Sequence, residues 1–205
     1  MGDSNCLYTY MKKNFLFGLL VCTFFLNTSV KGQNVVLKSN LLHAATATLN
    51  LGVEVGIAPK WTIDLSGGYN PFTFSHSRRW KHWIFQPEAR YWFCDRFAGH
   101  FVGFHALGGA YNFANLKNGI RLFGVDFSEL SSYRQQGWFV GGGIAYGHSW
   151  VLNRRWNLEL EIGMGYVYAK YDKFKCGGCG KRVETDKTHH YLGPTKAAIN
   201  MVYNF

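Results

Sequence analysis

Trp156-Asn-Leu-Glu-Leu-Glu-Ile-Gly-Met-Gly-Tyr-Val-Tyr168 limits what this chain can become more than any other stretch. Its even positions (Trp156, Leu158, Leu160, Ile162, Met164, Tyr166, Tyr168) are all large and apolar or aromatic. Its odd positions (Asn157, Glu159, Glu161, Gly163, Gly165) are polar or small until Val167. A period of two places successive side chains on opposite faces of a strand. Soluble strands average about 5–6 residues, so this one is roughly twice the usual length. At about 3.3 Å per residue and a tilt of about 40°, it rises roughly 30 Å, the thickness of a hydrocarbon core. Trp and Tyr, which favour the membrane–water interface, stand at its two ends. The stretch predicts a transmembrane β-strand.

The N-terminus agrees with export. Lys12-Lys13 precede a compact apolar run, Phe15 to Leu26, and Val30 and Gly32 stand at the small-residue spacing of a cleavage site before Gln33. This pattern predicts a secretory signal peptide, too short for a comfortable membrane helix. Residues 1–32 are read as an N-terminal extension plus signal peptide, with Met11 the expected start, and 33–205 as one β-barrel domain. Leu19-Leu20-Val21-Cys22 resembles a lipoprotein box, but the residue before the cysteine is Val and the apolar run continues past it.

The whole chain carries a formal charge of +10, and losing Lys12, Lys13, Lys31 and Asp3 leaves +8. An exported protein meets no nucleic acid routinely, and the cations cluster in the stretches read as loops, so anionic lipid headgroups are the expected basic-surface partner. After the leader no run reaches about 18 apolar residues. A chain in this membrane must therefore close its strands into a barrel, since lipid cannot satisfy an open edge.

Alternation along the chain predicts an all-β, eight-stranded antiparallel up-and-down barrel, with strands near 35–44, 49–58, 61–69, 82–93, 99–113, 137–151, 156–168 and 191–205. The facing of the fifth is ambiguous. Connections near 59, 95 and 153 are short, while 71–81, 114–136 and 170–190 are long; the first hairpin end, near 45–48, is the exception to this alternation and is short. Short periplasmic turns alternating with longer outer loops mark bacterial outer-membrane barrels. Trp61, Phe93, Trp150 and Trp156 flank the short-turn end, and Tyr69, Trp83, Trp138 and Tyr168 the other.

The same alternation aims Glu54, Asp64, Glu88, Glu159 and Glu161 inward, against Lys38, Arg90 and Lys196. An eight-stranded barrel is about filled by its own side chains, and buried charges persist only when paired. A cross-braced ionic core is the expectation, and a narrow gated pore or proton path the alternative. His100, His105 and His148 fall in strands, with His43, His76, His82, His189 and His190 nearer ends or loops, and no Ser–His spacing stands out; catalysis is not expected. Cys176-Gly-Gly-Cys179, with His189-His190 ten residues on, has the ligand types of a Cys₂His₂ zinc site. The oxidising export compartment points instead to a disulfide, and a redox or free thiol pair is a third reading. No cofactor is expected.

Lys38-Ser-Asn-Leu-Leu42, Asn50-Leu-Gly-Val-Glu54, Trp61 to Pro71, Lys81-His-Trp83, Gln86 to Trp92, Gly99-His-Phe101, the Cys176/Cys179 loop and Gly193-Pro-Thr-Lys196 together resemble a Bacteroidetes-type family of small outer-membrane proteins. That family, of unknown function, occurs in Gram-negative gut and oral anaerobes, often encoded near fimbrial and OmpA-like proteins. The resemblance covers nearly all of residues 33–205. It implies an outer-membrane barrel with a link to fimbrial or OmpA-like surface partners, and it supplies no catalytic residue. Phe205 looks like the aromatic end that outer-membrane assembly machinery recognises. The expected function is a structural or adhesive surface barrel presenting its outer loops; a lipid-modifying enzyme or narrow channel is the alternative.

Overall fold

The computed structural model describes residues 34–74, 78–114, 121–122, 125–126, 133–175 and 182–205. The expected extension and signal peptide, 1–32, lie outside them. Eight strands organise the rest: β1 (Val35–Asn40), β2 (Leu49–Ala58), β3 (Trp61–Asn70), β4 (Arg78–Trp92), β5 (Gly99–Ala114), β6 (Tyr133–Val151), β7 (Trp156–Lys175) and β8 (Arg182–Asn204). Each pairs antiparallel with the next. The first also pairs with the last, Val36 opposite Asn204 through Asn40 opposite Asn200. The sheet is thus closed into a ring over the height of β1, which removes there the row of unpaired N–H and C=O groups an open sheet would expose. None of the described helices is long and apolar enough to cross a membrane.

The ring is taller on one side. β1 has 6 residues and β2 and β3 have 10 each, while β6, β7 and β8 have 19, 20 and 23. Much of what reads as long loop is therefore ladder: residues 78–81, 133–136, 170–175 and 182–190 are all strand. In sequence these extensions mix polar residues into every register, as Lys170, Asp172 and Lys173 do in β7, so no apolar alternation marks them.

The first strand, expected to run to residue 44, stops at Asn40. There the chain turns into the short helix α1 (Leu41–Ala45), because the Asn40 side chain caps it, accepting from the Leu42 N–H at 3.0 Å. Asn50 fixes this corner from β2, donating to the Asn40 carbonyl at 3.0 Å.

Side chains alternate as a closed ring demands. Leu51, Leu65, Phe85, Phe104, Ile144, Ile162 and Met164 are exposed on the outside, whereas the intervening residues are buried or half-buried. In β5 the odd positions face in, with Phe101, His105, Leu107, Tyr111 and Phe113 all buried. One position departs from simple alternation. Thr195, which a strict period of two would put on the outer face with Ala197 and Ile199, is buried beside Lys196. Opposite them on β7, Gly163 pairs with Lys196 and Met164 with Pro194, so Thr195 is the extra residue of a β-bulge. Pro194 has no N–H to give the ladder, and a bulge is where a strand tolerates that.

Candidate functional site

The interior is stacked in three layers. Nearest the short turns is an aromatic plug of Val36, Trp92, Phe97, Phe101 and Val202. Trp92 and Phe101 are in ring contact, with centroids 4.7 Å apart. At the long-connection end is a second apolar cluster, Leu107, Tyr111, Phe113, Phe139, Val167 and Ala169. Between them lies the charged layer.

All eight charged residues aimed inward by the alternation, Lys38, Glu54, Asp64, Glu88, Arg90, Glu159, Glu161 and Lys196, are buried. They form one connected network with Arg90 as hub. Its Nε donates to Glu88 Oε1 at 2.7 Å and its Nη2 to Glu161 Oε2 at 2.7 Å. Its Nη1 donates to Glu54 Oε2 at 2.9 Å and to both carboxylate oxygens of Glu159 at 3.1 Å. Asp64 Oδ2 lies 3.2 Å from Nη2, close enough for charge attraction. The guanidinium is therefore ringed by five carboxylates from β2, β3, β4 and β7, and it rests on the Phe101 ring, 4.5 Å from the centroid. A planar donor fork of fixed geometry suits such a hub better than an ammonium would.

The two lysines close the ends of the network. Lys38, from β1, bonds Glu159 Oε2 at 3.0 Å, sits 3.0 Å from Asp64 Oδ2 and also pairs with Glu54. Lys196, at the bulge, pairs with Glu88 and lies 2.8 Å from Glu161 Oε1. Neutral partners take up remaining lone pairs: Thr62 donates to Glu54, Ser66 to Asp64, and Asn200 to Glu159 Oε1 at 2.8 Å. Alternation alone places Thr62 and Ser66 beside Asp64, and Asn200 beside Lys196, but only cross-strand register assigns their partners. Among these buried groups carboxylates outnumber cations by two.

Glycine makes room for this layer. A Cβ on Gly103 would stand 2.6 Å from Glu88 Cδ, and one on Gly163 would stand 2.9 Å from His105 Cε1. His105 is buried at the upper edge of the network and its Nε2 meets Thr195 Oγ1 at 2.9 Å. That contact exists only because the bulge turns Thr195 inward.

The other sequence candidates are dispersed. His100 and His148 face outward, opposite one another on β5 and β6, with ring centroids 4.1 Å apart, and His100 Nδ1 bonds the Tyr146 hydroxyl at 2.6 Å. The hydroxyls of Ser39, Ser66 and Ser149 donate to Asn50, Asp64 and the Phe97 carbonyl. Cys176 and Cys179 lie outside the described residues. His189 stands opposite the buried Ala169, while His190 stands opposite Tyr168 and bonds the Tyr166 hydroxyl on the outside. Adjacent residues of one strand point to opposite faces, so this pair does not converge on a single metal ion. Cys94 is a free, exposed thiol in the turn between β4 and β5.

The fold and site define an all-β protein: eight antiparallel strands in a ring around a buried ionic layer. The chain belongs to the family described as protein of unknown function (DUF3575), whose model matches residues 18–205. Neither a curated protein nor a solved structure matches it.

Proposed function

We propose that this protein is a non-enzymatic β-barrel of the outer membrane of a Gram-negative bacterium, structural or adhesive in role. It presents the outer ends of its long hairpins, 114–136 and 170–190, to surface partners. The observation that carries the reading is the inverted distribution of polarity. Five carboxylates and three cations are buried inside, whereas Leu51, Phe104, Ile144, Ile162, Met164 and Leu192 stand exposed outside, Leu192 at 82%. Monomers in water rarely expose so continuous an apolar surface, but acyl chains cover it without cost. The outward aromatics support the same reading, since Trp61, Phe93, Trp150 and Trp156 fall near one rim and Tyr69, Trp83 and Trp138 near the other, all exposed. Such rows are the girdles of a barrel at its two interfaces.

Export by the signal peptide read from the N-terminal residues, insertion by outer-membrane assembly machinery, and the fimbrial or OmpA-like partners that the resemblance implies belong to this proposal. The layered interior favours a closed core over a channel, and a steady large conductance in a planar bilayer would reject that part. The adhesive role is tested by deleting 172–188, the paired outer end of the β7–β8 hairpin that stands beyond β1, and repeating pull-downs from envelope extracts. The proposal expects a folded barrel in the outer-membrane fraction that has lost its captured partner. An unchanged set of captured proteins overturns it.

A further inference from the structure

Among the described residues Gly67, Gly108 and Gly142 leave gaps in the outer wall, and the gap at Gly67 is the one surrounded by large apolar or aromatic side chains alone. Gly67 faces outward on β3, directly opposite Leu51 of β2 on one side and Phe85 of β4 on the other. Its same-face neighbours on β3 are Leu65 and Tyr69, and the next row up is Leu49, Tyr69 and Trp83. Every one of these surrounding side chains is large, apolar or aromatic, and exposed. The gap at Gly67 opens a shallow groove of about 520 Å³, open along most of its face, lined by Leu49, Leu51, Tyr69, Trp83, Ile84 and Phe85, together with Asn50 and the two glycines Gly67 and Gly68.

We propose that this groove is a binding site for one acyl chain of a phosphorylated saccharolipid of the outer leaflet. The inference rests on the barrel reading above. Three features choose the occupant. The groove is walled by hydrocarbon and aromatic rings and is continuous with the outward apolar band, which selects an acyl chain over any polar ligand. It lies at the long-connection end, so the leaflet it meets is the outer one. Lys81, exposed on β4 one outward position beyond Trp83, places a cation above the aromatic row where a lipid phosphate would stand. Tyr69 and Trp83 then bracket the chain at the level where it leaves the hydrocarbon.

Gly67 supplies a clean test, because a Cβ there meets only the Ile84 carbonyl oxygen, at an ordinary 3.7 Å. Gly67→Phe therefore fills the groove without disturbing the ladder. Wild type, Gly67→Phe and Lys81→Gln are extracted in mild detergent from native outer membranes, and retained lipid is identified by native mass spectrometry. The proposal expects wild type to retain a saccharolipid, with occupancy roughly tenfold lower in Gly67→Phe, equivalent to a few lost methylene contacts. Lys81→Gln should lose phosphorylated forms selectively. Equal retention by wild type and Gly67→Phe overturns the site, and a glycerophospholipid in its place overturns the choice of occupant. Heat-modifiable migration of all three proteins keeps this separate from the barrel reading: a chain that never enters the membrane fraction fails that reading instead.

Discussion

Arg90 and Glu159, 69 residues apart in sequence, face each other across the ring, with Arg90 Nη1 donating to both Glu159 carboxylate oxygens at 3.1 Å. The contact ties β4 to β7, strands that are not neighbours in the ring. Removing the guanidinium leaves five buried carboxylates with two lysines between them. Arg90→Met should cost about 3–5 kcal/mol, the range for breaking a buried pair. Urea unfolding in detergent micelles measures it, and a loss below about 1 kcal/mol would mean that the network does not brace the wall.

The surplus of carboxylates sets an asymmetry. Glu161→Gln keeps the shape and reduces the excess of negative charge, whereas Lys38→Met raises it and leaves Glu54, Asp64 and Glu159 to share Arg90 alone among the cations. The lysine variant should be the less stable of the two by at least about 1 kcal/mol in the same urea titration. The reverse order would contradict the arrangement of charges described here.

Much of this layer can be read from the sequence because a strand has a period of two. Glu159 and Glu161 share a face in any strand, and so do Glu88 and Arg90. Partners are another matter: that Glu159 meets Arg90, Lys38 and Asn200 depends on register between β7, β4, β1 and β8, which no single strand encodes. The upper halves of β7 and β8 read as loop since Lys170, Asp172, Lys173 and Thr188 give polar residues to both faces. Thr195 reads as outward because a bulge breaks the count of two, and Pro194 was the available sign of it. Asn40 marks a helix start, yet five residues of helix are too few to show a period.

Gly103 and Gly67 make a matched pair on the two faces. Gly103→Val drives a side chain into Glu88 and should cost about 1–3 kcal/mol, as overpacking does. Adding the same side chain at Gly67 should be close to neutral. Paired denaturation curves decide it, and equal destabilisation at both sites would mean the facing of one strand is misassigned.

Thr195→Val removes the hydroxyl that partners His105 without changing the side chain's size. The buried imidazole then loses its contact, and stability should fall by about 1 kcal/mol. An unchanged midpoint would show that the bulge is held by packing alone.

His43, on α1 at the long-connection end, is held below its ordinary value of 6.5, first by burial and then by the neighbouring His82. A lowered imidazole binds its proton more weakly in the folded chain than in the unfolded one. Local stability is therefore full above 6.5 and is lost as pH falls below that value. Amides of 42–48 should exchange faster at about pH 5 than at about pH 7.5, after correction for intrinsic rates, and His43→Gln should abolish the difference. The same response in the variant would assign the effect to another group.

The central claim is that the outer wall faces lipid and the charged layer does not. Tryptophan reports both sides: Trp138 and Trp150 are exposed on the outer wall at 47% and 42%, and Trp92 is 0% exposed inside. The direct measurement is fluorescence of single-tryptophan variants in vesicles of lipids brominated along the acyl chain. The account predicts strong quenching for Trp138 and Trp150 and little for Trp92. Unquenched Trp138 and Trp150, in protein that floats free of the vesicles, would contradict it.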